Sequence, residues 1–303
     1  MTIAVSLRAL RRASLAATLS ALAGCVGLTP DDGAPAPLVL ASFNMEHLAT
    51  RDGEGCRPRG EADYAALRDY VGRVGADVFA LQEVESAEAA QRVFTPDAWV
   101  VVVETRTGSG RSAECRGLAG RTLTDQRTGF AVRRGLDFDR LADVTALQLG
   151  DADLRSGVDL VLRPDGGPEL RLLSVHLKSG CSAGQAQPAC PVFFEQAPQL
   201  EAWIDARARE PRPFVVLGDF NRRLDLPDDP VWTDWDDGDP AEANLTLAAG
   251  GRKARCNPRY PDFIDHIVLD RRASQRLERF EETVFEAPPL SDHCAISVRL
   301  RLD

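Results

Sequence analysis

Phe214-Val215-Val216-Leu217-Gly218-Asp219-Phe220-Asn221 is the stretch on which the reading of this chain turns. An apolar, partly β-branched run of this length, cut off by turn-forming Gly, Asp and Asn, reads as a buried strand. The polar residues directly behind it sit where a strand emerges from the core. Working outward, the same arrangement recurs. Ser42-Phe43-Asn44-Met45 closes an apolar run over residues 38–44, and Leu81-Gln82-Glu83-Val84 closes another over 77–84. Ser174-Val175-His176-Leu177-Lys178 closes a third over 170–177. Asp265 and His266 interrupt a strand over 263–269, and Ser291-Asp292-His293 stands just before a strand over 295–302. Further strands are expected over 99–104, 129–133 and 158–163. Tyr64, Leu67, Tyr70, Val71 and Val74 share one face of a helix that Gly75 stops. A second helix is expected over 198–209, with Pro198 in its first turn, the position a helix tolerates. Many strands with helices between some of them suggest two packed β-sheets with helices outside, although the pattern alone leaves other α/β layouts open.

A polar residue at one strand end is usually a satisfied hydrogen bond or a turn. Six such places in one chain are harder to explain that way, because burying several carboxylates without a cation is costly. A divalent metal removes the difficulty. The chain has four His. His176, His266 and His293 lie in these motifs, and His47 lies three residues past Asn44. For His47 and His266 a supporting role is the better reading.

The 303 residues fit one large domain better than two, and a 44% hydrophobic content supplies a sizeable core. The leader is set apart first. Arg8, Arg11 and Arg12 precede a short uncharged Ala- and Leu-rich segment over 13–24, too short to span a bilayer stably. It ends in Leu22-Ala23-Gly24-Cys25, which resembles the bacterial lipobox. The expectation is therefore a lipoprotein signal over 1–24, a lipidated Cys25 with a Pro- and Gly-containing tether over 25–37, and a catalytic domain over 38–303. Such a protein is exported and held on a membrane at the periplasmic or extracellular face. The alternative is a plain signal peptide with an incidental Cys. Losing the three Arg of the leader takes the formal charge from −10 to −13. That is a poor footprint for a passive nucleic-acid coat, which works by neutralising phosphates, yet it leaves a nuclease open.

Six Cys remain after Cys25, an even number that suggests disulfides in an oxidising compartment. Cys181 and Cys190 are the best local pair. Cys56 with Cys115 is a guess, and Cys294 reads equally well as a buried free thiol. No C-x-x-C spacing points to structural zinc.

In combination, Asn44, Glu83, His176, Gly218-Asp219-Phe220-Asn221, Asp265 and Ser291-Asp292-His293 resemble the endonuclease/exonuclease/phosphatase superfamily. That group includes deoxyribonuclease I, the exonuclease III type of repair nuclease, neutral sphingomyelinases and inositol polyphosphate phosphatases. The likeness runs from about residue 38 to the C-terminus. It implies a four-layer α/β sandwich, two packed mixed β-sheets flanked by helices. It also implies a monomeric, metal-dependent phosphodiester hydrolase, an endonuclease acting on DNA or RNA. By the same resemblance, Glu83, Asn44 and Asp292 would hold Mg²⁺, and the hard oxygen donors would also suit Mn²⁺ or Ca²⁺. His293 would activate water with Asp265 as its carboxylate partner. His176 would stabilise the phosphoryl oxygens or protonate the leaving oxygen, while Asp219 and Asn221 would orient nucleophile and phosphate. Arg155 resembles a phosphate-contacting Arg of that group, and Arg127 is a second candidate. Arg252, Lys253, Arg255 and Arg259 form a basic loop ahead of Asp265 that would suit a phosphate backbone. Against a polyanion stands the segment 225–239, with seven Asp in fifteen residues, expected as a solvated acidic loop. A phosphatase or a sphingomyelinase-type phosphodiesterase is the alternative of the same fold. A surface binding protein without catalysis is the alternative of another class.

Overall fold

The computed structural model describes residues 35–110, 113–286 and 288–303; the leader, Cys25 and the tether up to residue 34 lie outside them. The strands are β1 (Leu38–Leu48), β2 (Val78–Val84), β3 (Trp99–Val103), β4 (Arg127–Arg133), β5 (Asp137–Arg140) and β6 (Val158–Arg163). They continue with β7 (Leu170–His176), β8 (Phe214–Asp219), β9 (Thr246–Leu247), β10 (Asp265–Leu269), β11 (Leu277–Thr283) and β12 (Ala295–Leu300). One six-stranded sheet runs β11-β12-β1-β2-β4-β3, the other β5-β6-β7-β8-β10-β9. Each is mixed: β1 and β2 pair in parallel in the first, β7 and β8 in the second, while their other neighbours are antiparallel.

Period-two alternation assigns the layers. Leu38 and Leu40 of β1, Val78 and Ala80 of β2, Leu170 and Leu172 of β7, and Val215 and Leu217 of β8 share one core between the sheets. Their sequence neighbours point the other way. Ala41, Phe43, Phe79 and Leu81 pack against Tyr64, Leu67 and Tyr70 of α1 (Glu61–Val74). After the short helix α2 (Ala87–Gln91), the long helix α3 (Cys190–Ala208) covers the second sheet, where Phe193, Leu200 and Trp203 meet Leu173, Val175 and Val216. Helix, sheet, sheet and helix make the four layers expected.

The inward-facing positions change character along the strands. In β1 they read Leu38, Leu40, Ser42, Asn44, and in β7 Leu170, Leu172, Ser174, His176. In β8 Val215 and Leu217 give way to Asp219. The inter-sheet layer is therefore oily at one end and polar at the other. Ser42 Oγ donates to Gln82 Oε1 (3.3 Å) and Gln82 Nε2 to Ser174 Oγ (3.4 Å), bonds that satisfy the first buried polar layer.

Several expectations change. The second helix begins at Cys190, eight residues before Pro198, which lies in its interior. Pro191 occupies the first turn, and the buried stripe of Phe193, Gln196, Ala197 and Leu200 carries the helix past the missing amide of Pro198. The edge strands β5 and β11 lack a continuous apolar run and escaped the pattern: Leu277–Thr283 is half exposed. The Asp-rich segment is not simply a solvated loop. Asp229 is buried, caps α4 (Pro230–Trp235) by accepting from Val231 N and Trp232 N, and pairs with Arg222 at 2.7 Å. All six described Cys are paired: Cys56–Cys115, Cys181–Cys190 and Cys256–Cys294, so Cys294 is not a free thiol.

Candidate active site

Strand register gathers the polar residues at one end of the sandwich. His176 and Asp219 are register partners across the parallel pair β7–β8, and Asp219 and Asp265 across the antiparallel pair β8–β10. Asp265 therefore begins its strand at the end where Asp219 finishes. Asn44 stands well inside β1, four residues before that strand stops. On β2 the pairing shifts between Leu81 and Val84, and Glu83 takes a left-handed backbone (φ 56°). Such a conformation costs on the order of 1 kcal/mol outside glycine and is kept here where a bulge re-aims a functional carboxylate. Asn221, also left-handed (φ 54°), turns the chain after β8; its N–H donates to Asp219 Oδ1 (2.8 Å) and its Nδ2 to Leu177 O (3.2 Å).

Asp219 is the junction of the site. Its Oδ2 accepts from Asn44 Nδ2 at 3.0 Å and lies 3.5 Å from His176 Nε2 and 3.8 Å from His293 Nε2. Asn44 Nδ2 also reaches Glu83 Oε1 at 3.3 Å, so one amide bridges both carboxylates. His293 Nδ1 is bonded to Asp265 Oδ2 at 2.7 Å, which turns Nε2 toward Asp219. Ser291 secures this loop: its Oγ donates to Asn44 O (2.8 Å) and accepts from His293 N (3.1 Å).

Burial and charge split the two histidines. Burial works against a cation on His293, but the Asp265 and Asp219 carboxylates and the Asp265 hydrogen bond outweigh it and hold its pKa well above the usual 6.5. Burial, then the nearby Arg155 and His293 charges, push His176 well below that value, so its ring is neutral at pH 7. Burial raises Asp219 to about 7; the charge of His293 opposes that shift and Asp265 adds to it.

A divalent cation suits this donor set. Among the described residues neither Glu83 nor Asp219 nor Asp265 has a Lys or Arg ion-pair partner; each faces only histidine. Asp219, Asp265 and His293 bring ligand atoms within 4.8 Å of one another. Glu83 and Asn44 adjoin that group through Asp219. Asp292 adjoins the group from the solvent side, its side chain 64% exposed and its Oδ1 3.8 Å from His293 Nε2, the same distance as Asp219 Oδ2.

The two arginine candidates diverge. Arg155 lies under the site: Nη2 donates to Leu177 O (3.0 Å), its buried Nε has no hydrogen-bond partner, and Glu83 and Asp219 feel its charge. Arg127 does not serve the cleft. Its guanidinium donates to Glu85 O (3.1 Å), Glu104 O (3.2 Å), Arg106 O (2.5 Å) and Asp125 Oδ2 (2.7 Å), which ties loops together behind β4. His266 is structural, its Nε2 2.8 Å from Arg222 O, whereas His47 adjoins the site through its N–H on Glu83 Oε2 (3.2 Å).

Other contributors had no strand-end signature. Gln126 Nε2 lies 3.2 Å from His47 Nδ1. Glu46 Oε2 accepts from Asp292 N (2.9 Å), Arg57 reaches Glu46 and Pro289 O, and Arg59 reaches Met45 O and Leu290 O. These residues clamp the Ser-Asp-His loop to β1. The signal available was the cluster Cys56-Arg57-Pro58-Arg59, whose cysteine is disulfide-bonded.

A His–Asp pair facing a junction carboxylate, with an amide-bridged Glu beside it, is the arrangement that the family comparison explains. Residues 41–293 match the Endonuclease/Exonuclease/phosphatase family. The chain belongs to this family. Solved structures of similar fold include the human Nocturnin catalytic domain with bound sulfate anion (14% identity, TM-score 0.60, covering 88% of this chain and 95% of that one). An endonuclease/exonuclease/phosphatase from Bacteroides vulgatus is 15% identical with a TM-score of 0.60, over 88% and 99% of the two chains. The AP endonuclease LMAP from Leishmania major is 15% identical with a TM-score of 0.58, over 88% of each. At such identities the likeness is one of fold. No curated protein matches the sequence. Family members are hydrolases acting on phosphoester bonds, which holds for this chain as a member, and they typically use divalent metals.

Proposed function

We propose that the chain is a metal-dependent phosphodiesterase cleaving nucleic acid, exported and anchored through Cys25. The observation that carries the catalytic reading is the His293–Asp265 bond of 2.7 Å with Nε2 facing Asp219. Asp265 orients the imidazole and supports its charge, so His293 can take a proton from attacking water once it is neutral. Neutral His176 is placed to donate a hydrogen bond from Nε2 to a phosphoryl oxygen, and buried Arg155 adds positive field beneath it. Asn221 and Asp219 fix the nucleophile's position. Glu83 and Asn44, with Asp219 adjoining, would hold Mg²⁺, which neutralises charge on the equatorial oxygens when bound. Positioned acid–base groups of this kind contribute about 10²–10⁴-fold each.

For nucleic acid as substrate, support comes from the fold shared with the Leishmania major protein, whose description names an AP endonuclease. The Asp-rich segment opposes this less than its composition implies, since no residue of 225–239 lines the cavity beside His293. Three disulfides favour export, because such bonds persist in oxidising compartments. The deciding experiment incubates the chain from residue 35 with plasmid DNA, sphingomyelin and an inositol phosphate, with Mg²⁺ and then with EDTA. Metal-dependent nicking lost in His293→Ala is expected. Activity on lipid alone would overturn the nuclease reading, and bound metal without turnover would favour a binding protein.

A further inference from the structure

Arg222, the residue after Asn221, is fully buried, with 0% exposure. An arginine is rarely placed so deep, because its charge must leave water. Its Nε donates to Asp229 Oδ1 (3.1 Å), and its Nη2 lies 2.7 Å from Asp229 Oδ2. Its Nη1 donates to Cys181 O (3.1 Å) and Gly184 O (3.0 Å), both in the loop that the Cys181–Cys190 disulfide closes. The rings of Phe193 and Phe194 on α3 lie 5.4 and 5.1 Å from the guanidinium. The backbone is held as well: the Arg222 carbonyl lies 2.8 Å from His266 Nε2, and since a carbonyl only accepts, that nitrogen carries the proton. His266 directly follows Asp265, the carboxylate partner of His293. Arg222 therefore stands between the turn that carries Asn221 and the strand that carries Asp265. Building on the phosphodiesterase reading, we propose that Arg222 is a positioning residue for that reaction: clamped by Asp229, it sets Asn221 against the His293–Asp265 pair.

Stability alone is a poor account of this ion pair. Apolar residues of similar volume often hold a core as well as a buried pair does, or better. What the pair supplies is a fixed place for the backbone, and Asn221 needs one. Its left-handed conformation (φ 54°) costs on the order of 1 kcal/mol outside glycine and persists only where the surroundings impose it. On one side Asp219 Oδ1 holds the Asn221 N–H (2.8 Å). On the other, Arg222 is bound through its guanidinium and its carbonyl, and Arg223 N donates to Ser182 O (3.0 Å). With the turn fixed, Asn221 Nδ2 is committed to Leu177 O (3.2 Å), the carbonyl that also takes Arg155 Nη2 (3.0 Å). Asn221 Oδ1 is then the acceptor that this side chain offers to a nucleophile. The Asp-rich segment thus serves the site indirectly, through Asp229, whose charge is met by Arg222.

The test replaces the pair with neutral residues in the full-length chain, Arg222→Met together with Asp229→Asn, since Asn can still cap α4. Hydrolysis of bis-p-nitrophenyl phosphate under Mg²⁺ is compared at equal folded fraction, set by urea unfolding. We expect kcat to fall by about 10–100-fold with KM unchanged, the effect of a misplaced group and not of a lost binding contact. Arg222→Lys, which keeps the charge and loses the fork, should recover part of kcat. In an Asn221→Ala background the same replacement should cost less than about twofold more, because the group it positions is gone. An unchanged kcat in the replaced pair, or the full loss repeated in the Asn221→Ala background, would overturn the proposal. If the replaced pair does not fold, Arg222→Lys is carried through the same cycle. Should the wild type hydrolyse no phosphodiester, the phosphodiesterase reading fails and hydrogen exchange judges the clamp. Amides of 219–223 and 264–266 should then exchange about tenfold faster in the variant while those of α1 do not change, and equal exchange overturns it.

Discussion

At the scale of single residues, the site is defined by how burial and neighbouring charge distribute protons. Asp219 and His293 both take up protons more readily in the fold than in an unfolded chain, where their reference values are 3.8 and 6.5. The sign follows directly. The favourable contribution of charged His293 is complete below 6.5 and is lost as pH rises through its higher folded value. The penalty for ionising buried Asp219 is absent below 3.8 and grows up to about 7. Both effects make the native state bind more protons, so metal-free protein should lose stability as pH rises from about 4 to 7 through Asp219 and on above 6.5 through His293. Thermal unfolding in EDTA across that range should show a falling Tm, and Asp219→Asn should flatten the fall; a wild-type Tm that is level there would sink the assignment. Adding Mg²⁺ should raise Tm more at pH 8 than at pH 6, since protons compete for the same carboxylates. Asp265→Asn should lower kcat by about 10²–10⁴-fold, because His293 loses its orienting charge. A larger residual activity would show that Asp265 only fills space. Asn44, Glu83, His176 and His293 were readable as candidates from residue type and strand-end position, and their roles were implied by the family resemblance. Glu46, Arg57 and Arg59 were not, since they act by joining β1 to the Ser-Asp-His loop through tertiary contacts, and the Cys56-Arg57-Pro58-Arg59 cluster is the one local sign of them.

At the scale of elements, one glycine governs how the strands carry the site. A Cβ at Gly218 would lie 2.0 Å from Val175 O, so β7 and β8 can pair closely only with glycine there. Gly218→Ala should separate these strands at the step before the His176–Asp219 register pair, costing about 3 kcal/mol by overpacking. Urea unfolding measures the loss, and an unchanged midpoint would show that the sheet gives way without strain. Most strands around the site were legible because each is a buried apolar run with a polar end. Edge strands β5 and β11 were not, since one face meets solvent and the run is broken. Helix α3 was misjudged at its start, because Pro198 is a poor interior residue locally, and only packing against β7 and β8 compensates for it.

At the scale of the whole molecule, the disulfides join segments that strand pairing leaves apart. Cys56–Cys115 closes 59 residues and secures the segment carrying Arg57 and Arg59, while Cys256–Cys294 closes 38 residues and ties the basic loop to the residue after His293. Closing loops of this length contributes about 4 kcal/mol each in the chain-entropy account. Dithiothreitol should therefore lower Tm by well over 10 °C at neutral pH, and a Tm unmoved by verified reduction would show that the folded state holds these loops without the covalent links.

The chain's own pattern of apolar runs and polar ends determined an α/β chain of many buried strands and nominated the chemical residues, because period-two burial and the cost of burying carboxylates are local consequences of residue type, while the four-layer arrangement came from the family resemblance. Tertiary structure alone decided that Asp219 joins the Glu83–Asn44 side to the His293–Asp265 side, that His176 is neutral while His293 is charged, that Arg155 adjoins the site and Arg127 does not, and that Arg222 lies buried against Asp229. These depend on distances between segments up to 247 residues apart, as in the Ser291–Asn44 bond, and on the dielectric that packing creates around them, neither of which any single stretch of sequence contains.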